Sequence, residues 1–386
     1  MATERPLDPT LGDGLGDEPR VSTLELFFDL VFVFTITQLT ALLEHGLSTE
    51  TVAQVVLVFV VVFWMYGGYA WLTNAVPPDR PIRRLLLILG MGAFFICALA
   101  LPRIFDGDGV YFGVGYLIVV VVHASLYSRT YRSGVFLRLA PLNVLAALSV
   151  LVAGTLPRPA AYGLWALAIA VQFVAPRIAG STGAFELRPA HFVERHGLLL
   201  LIALGESVIA VGVGAGDRPL DGGTLIGALL GLALAAGLWW TYFGGDEEIA
   251  GRAMSGADPL ARFGLAINGY FFAFIPMLLG IVATAAGIHG AIAHLPDRSG
   301  VDDALILGGG VALYLAGECA FRRAMGVGWN GRRLLAVLAA AATSSLGVAA
   351  SGGAQLAALA LIPVLIAALD ARDGSIDLAS RLQGQD

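Results

Sequence analysis

Along most of the chain, apolar residues come in runs of roughly twenty, separated by short polar breaks rich in Arg, Gly and Pro. Runs of that length are the signature of membrane-spanning segments. Twelve are predicted, at about 22–43, 51–74, 83–102, 109–128, 136–156, 159–177, 191–213, 223–245, 260–288, 303–322, 333–350 and 353–371. In hydrocarbon the backbone must satisfy its own hydrogen bonds, so each span is read as a helix. The pairs within 136–177 and 333–371 are divided by the breaks at Pro157–Pro159 and Gly352–Gly353. The fold expected is an all-α polytopic membrane protein.

Composition agrees. Of the 386 residues, 57% are hydrophobic and 13% charged, whereas a soluble domain has roughly 25% charged residues. That excludes a water-soluble enzyme, a disordered protein and a nucleic-acid binder, and a net charge of −6 argues further against polyanions. All 23 basic residues are Arg. Only Arg103, Arg158, Arg218 and Arg298 fall in the odd-numbered loops, and the other nineteen lie in the even loops and the tails. The positive-inside rule therefore predicts a cell-membrane protein with both termini cytoplasmic. Residues 1–21 and 373–386 read as polar tails; the first lacks the features of a secretory signal. Cys97 and Cys319 sit inside apolar runs and imply no disulfide framework.

An internal repeat is expected, with halves at 22–180 and 181–372. Sliding the chain by 177 residues pairs Asp29 with Glu206, and Gly92, Phe94 and Phe95 with Gly269, Phe271 and Phe272. Neighbouring shifts pair Trp64 and Tyr66 with Trp240 and Tyr242, and Arg84 with Arg262. Six spans in each half make the two halves parallel.

Ionisable groups at membrane depth are costly, at about 2.5–3.5 kcal/mol or more each, and mark candidate function. Glu25 and Asp29 lie one turn apart on one face of the first span. Two carboxylates that close repel, so one is expected to hold a proton unless a cation intervenes. Glu206 is the matching acid of span 7, beyond the Glu194-Arg195-His196 cluster at that helix's start. Arg84 and Arg262, which begin spans 3 and 9, are the expected partners of the acids. Glu25, Asp29, Glu206, Glu194, Arg195, Arg84 and Arg262 together form a predicted proton, cation or substrate site, with a purely structural salt-bridge role as the alternative. Trp64, Tyr66, Trp240 and Tyr242 form either an interfacial aromatic belt or a wall for a substrate. His123 and Glu318 are further polar groups inside spans. The spacing of His191, Glu194 and His196 is poor for metal ligation, and no phosphate-binding, dinucleotide or zinc-protease motif occurs. No metal or cofactor is implied, and no catalytic residue is assigned.

Two stretches carry a family resemblance. Glu25-Leu-Phe-Phe-Asp-Leu30 in the first span, with Glu194-Arg195 and Leu204-Gly-Glu-Ser207 in the middle of the chain, resembles the bacterial low-temperature-requirement A family; Trp240-Thr-Tyr-Phe243 is similar to that family's aromatic segment. The resemblance implies a multi-pass membrane protein and draws attention to the same acids, without supplying a molecular activity. Phe28-Asp29 early in a duplicated six-helix unit is also similar to endolysosomal-type potassium channels, which carry Phe-Ser-Asp there.

Three functions follow as expectations: a proton- or cation-coupled transporter or ion conduit, an intramembrane enzyme acting on lipid, and a scaffold or sensor in envelope adaptation. The bilayer is the expected partner, with a proton, cation or small solute as ligand and a homo-oligomer left open.

Overall fold

A computed structural model describes residues 21–44, 46–128, 134–179, 187–216, 219–293 and 295–383, with backbone alone at 134–137, 176–179 and 373–383. Among the described residues there are helices and turns and no strand. The first half comprises α1 (Thr23–Glu44), α2 (Thr49–Ala75), α3 (Pro81–Ala100), α4 (Gly109–Ser128), α5 (Gly134–Ala153) and α6 (Arg158–Ala179). The second begins with α7 (Pro189–Gly216), α8 (Gly222–Phe243), α9 (Asp246–Gly256) and α10 (Pro259–Leu265). A π-helical segment (Ala266–Ala273) then leads into α11 (Phe274–Ala293), α12 (Val301–Ala324), α13 (Gly331–Ala342), α14 (Ser344–Ala349) and α15 (Gly352–Gln383).

Eleven of the stretches are long and apolar enough to cross a hydrocarbon core. The twelfth expected span is α5, whose fully described part is the shorter apolar helix Arg138–Ala153. The last span departs from expectation at its end, since α15 continues helical to Gln383 where a polar tail was predicted. All of the N-terminal tail but Val21 lies outside the described residues.

Local chemistry starts the helices where the sequence breaks. Ser48 caps α2 through Thr51 N at 2.9 Å, Asp221 caps α8 through Thr224 N at 2.7 Å, and Asp258 accepts from the N–H groups of Leu260 and Ala261 at 2.9 Å each. The ninth span is not a plain α-helix. Pro276 has no N–H to return to the carbonyl of Phe272, and the π turn just before it absorbs the mismatch.

α1 sits centrally, packed on α2, α3, α7 and α11. The tightest helix pair, α11 with α12, closes over glycine: a Cβ on Gly310 would come within 2.6 Å of Thr284 N. Aromatic rings join the halves, with Phe63 of α2 stacked on Phe271 of the π segment at 5.6 Å between centroids. Leucines and isoleucines such as Leu85, Ile88, Leu89 and Leu99 on α3 face outward, as a surface solvated by lipid requires.

Candidate functional site

The first turns of α1 and α7 lie side by side, and a guanidinium joins them. Arg195 is 1% exposed, between Glu25 at 3% and Asp29 at 0%. Arg195 Nη1 donates to Glu25 Oε1 at 3.0 Å, and Nη2 donates to Asp29 Oδ1 at 3.1 Å. The two acids are one helical turn apart, so one planar fork reaches both. Nη1 also donates to Thr73 Oγ1 of α2. The cation rests against the rings of Phe28 and Tyr66, each centroid 5.7 Å from Cζ. Tyr66 completes the Asp29 side by donating its hydroxyl to Oδ1 at 3.0 Å.

Further polar groups touch Glu25 and orient it. Ser22 donates to Glu25 Oε2 through its hydroxyl at 2.8 Å and its backbone N–H at 3.0 Å. His191, one turn before Arg195, places Nε2 3.4 Å from the same oxygen. Asn74 decides the tautomer. Its Oδ1 accepts from Arg188 N at 2.9 Å, so its Nδ2 is the group lying 3.2 Å from His191 Nδ1. Nδ1 therefore accepts, and the ring proton sits on Nε2 facing Glu25.

Among the described residues two carboxylates face one guanidinium, leaving one excess negative charge in a buried site. Among the described residues, Asp29 Oδ2 and Arg195 Nε have no hydrogen-bond partner. An orphaned buried carboxylate oxygen is expensive, and it marks where a proton or small cation would be held best.

The structure distributes the other predicted residues differently. Glu206, 5% exposed, accepts from Thr37 Oγ1 of α1 at 2.8 Å. It lies about 16 Å along α7 from Arg195 and belongs to a separate level of the bundle. Glu194 accepts from Val21 N at 3.3 Å and fixes the start of α1. Arg84 and Arg262, expected to pair with the acids, do not approach them. Arg84 Nε donates to Pro78 O at 2.9 Å, and Arg262 is spent on the carbonyls of Met254, Ala257 and Leu187 in the α9–α10 region. Each begins its helix too near the membrane face to reach inward.

The aromatic set also divides. Tyr66 meets Asp29, while Trp64 turns the other way and donates to Asn143 Oδ1 at 3.0 Å. Tyr242 is buried among Phe274 and Phe321, and Trp240 is 57% exposed on the outer surface, as a belt residue would be. His123 Nε2 bonds Gly68 O at 3.1 Å.

Sequence reasoning missed Thr73, Asn74 and the role of His191. The polar pair ending the apolar run of α2 was the available signal. It also missed a second buried network, apart from Glu318. Arg333 pairs with Glu318 and, at 2.7 Å, with Asp370 Oδ2, while Arg322 pairs with Asp246. These arginines were read only as loop charges.

The family model for the bacterial low temperature requirement A protein (LtrA) matches residues 20–368. An uncharacterized protein of Rhizobium meliloti (strain 1021) is 27% identical over 324 residues, covering 80% of this chain and 78% of the relative. The region matched by the family model takes in the first ten spans, most of the last one and the Glu25–Asp29–Arg195 cluster. This multi-pass membrane protein belongs to the bacterial low temperature requirement A family.

Proposed function

We propose that the protein moves protons or small cations across the bacterial cell membrane, with the Glu25–Asp29–Arg195 cluster as the binding station. The observation that carries this reading is the unpartnered Asp29 Oδ2 in a fully buried cluster with one surplus negative charge. A cluster serving packing alone is best balanced in charge, because each unmatched buried ion costs several kcal/mol. This one, among the described residues, is left one cation short.

The remaining groups fit a path along α1. Ser22, Glu25, Asp29, Thr37 and Glu44 fall near one face of the first helix at intervals of one or two turns, interrupted at Val33 and Ala41. Glu206 meets Thr37, and farther on Glu44 Oε1 meets His289 Nδ1 at 2.9 Å. Asp29 and Glu206 then act as successive stations on opposite sides of an apolar break, and the arginine-rich face is the cytoplasmic one. The packing order supports treating the halves as repeats: α1 packs on α2 and α3, and α3 on α4, as α7 packs on α8 and α11, and α11 on α12.

The test is flux in proteoliposomes under imposed pH, Na⁺ and K⁺ gradients. Asp29→Asn is expected to lower flux at least tenfold while eluting as a folded species. Equal flux from the variant, or none from the wild type under any gradient, would overturn the proposal. Loss of folding without any wild-type flux would favour a scaffold.

A further inference from the structure

At the arginine-rich end of the second half, charged side chains from four helices converge on one buried point. Asp246 opens α9, and Glu318 lies about 9 Å before the end of α12. Arg322 is in the last turn of α12, and Arg333 in the first turn of α13. Asp246 is 2% exposed and Glu318 1%. Arg322 Nη1 donates to Asp246 Oδ1, and Arg333 Nη1 donates to Glu318 Oε1. The same Arg333 Nη1 lies 3.9 Å from Asp246 Oδ2. Both acids therefore meet at one nitrogen, and their carboxyl groups also touch each other at hydrogen-bond range.

Two carboxyl groups in such contact do not both ionise, because no hydrogen would then lie between two like charges. The hydrogen bonds require the same proton. Among the described residues Asp246 Oδ2 has no donor, and a buried carboxylate oxygen is seldom left without one. A proton shared with Glu318 supplies it. The charges agree. Among the described residues Asp246, Glu318 and Asp370 share the guanidinium groups of Arg322 and Arg333, so three acids face two cations. One proton makes the network neutral, as burial favours. Cys319 and Tyr314 of α12 also interact with the pair, and neither brings a positive charge.

We propose that Asp246 and Glu318 form a proton-binding pair, with one exchangeable proton shared between two carboxyl groups. Asp370 marks the open side of the network. It accepts from Arg333 Nη2 at 2.7 Å, and its side chain is 41% exposed. The pair is built from α9 and α12, away from the Glu25–Asp29–Arg195 cluster, and holds its proton whether or not that cluster moves ions.

The test is infrared difference spectroscopy of the intact protein in bilayers, read at the C=O stretch of a protonated carboxyl. Near neutral pH the wild type is expected to show a band that shifts in D₂O and that Glu318→Gln and Asp246→Asn each lose. Either amide leaves a single acid and donates to it in place of the proton. Asp29→Asn is expected to keep this band whatever it does to flux. Asp370→Asn removes the third acid at an exposed position, so two cations then face two acids. Its band is expected to titrate away at lower pH than that of the wild type. A band left intact by both Glu318→Gln and Asp246→Asn would overturn the pair, as would a titration that Asp370→Asn does not move. The Asp370→Asn titration decides the matter even if neither variant of the pair folds.

Discussion

Replacing Arg195 with methionine removes the one cation of the α1–α7 cluster and keeps most of the side-chain volume. At N–O distances of 3.0 and 3.1 Å to Glu25 and Asp29, each attraction is worth about 5 kcal/mol at an effective dielectric of about 20. Much of that is offset by the desolvation of the guanidinium, so the net cost of breaking the cluster is about 3–5 kcal/mol. The loss arises mostly because two carboxylates stay buried without a partner. It follows that Glu25→Gln and Asp29→Asn added to Arg195→Met should recover stability to within about 1–2 kcal/mol of wild type, since a neutral cluster leaves no buried charge uncompensated. The assay is SDS-titration unfolding in mixed micelles, followed by circular dichroism and tryptophan fluorescence. A cost below about 1 kcal/mol for the single variant would refute the reasoning. So would a triple variant no more stable than Arg195→Met, because the penalty would then reside in packing and not in charge.

Other outcomes are expected in the same assay. Thr37→Val removes the hydroxyl that donates to Glu206 and should cost about 1–3 kcal/mol, the range for a buried acceptor left unmet. Gly310→Ala should destabilise by about 1–3 kcal/mol, because its new methyl meets Thr284 N at 2.6 Å. Gly309→Ala has open space around its Cβ and should be neutral or stabilising by up to about 1 kcal/mol. Arg333→Met should cost about 3–5 kcal/mol by stranding the buried Glu318, whereas Arg323→Gln, on an exposed position, should stay within about 0.5 kcal/mol.

Membrane spans were legible because the bilayer imposes a length and a composition on each helix regardless of its neighbours. The same rule exposed Glu25, Asp29 and Glu206: an acid in a run such as Leu24-to-Phe34 stands out against its own surroundings. Their partners were another matter. Arg84 and Arg262 were natural choices by position along the chain, but a guanidinium at a helix start is captured by loop carbonyls nearby. Arg195 had been counted in the predicted site as part of a helix-start cluster without being paired with the acids, although it is the cation that meets both acids of the first span.

What a single helix must do in oil is local, so the sequence alone determined that this is a bundle of apolar helices with a few costly acids at known depths. Which cation meets which acid depends on how α1 lies against α7 across 166–170 residues of chain, and only packing in three dimensions decides that. The same holds for the gap beside it. A cavity lined by α2, α4, α5, α7, α10 and the π segment is a mismatch among six surfaces, and no one of those segments carries a record of its shape.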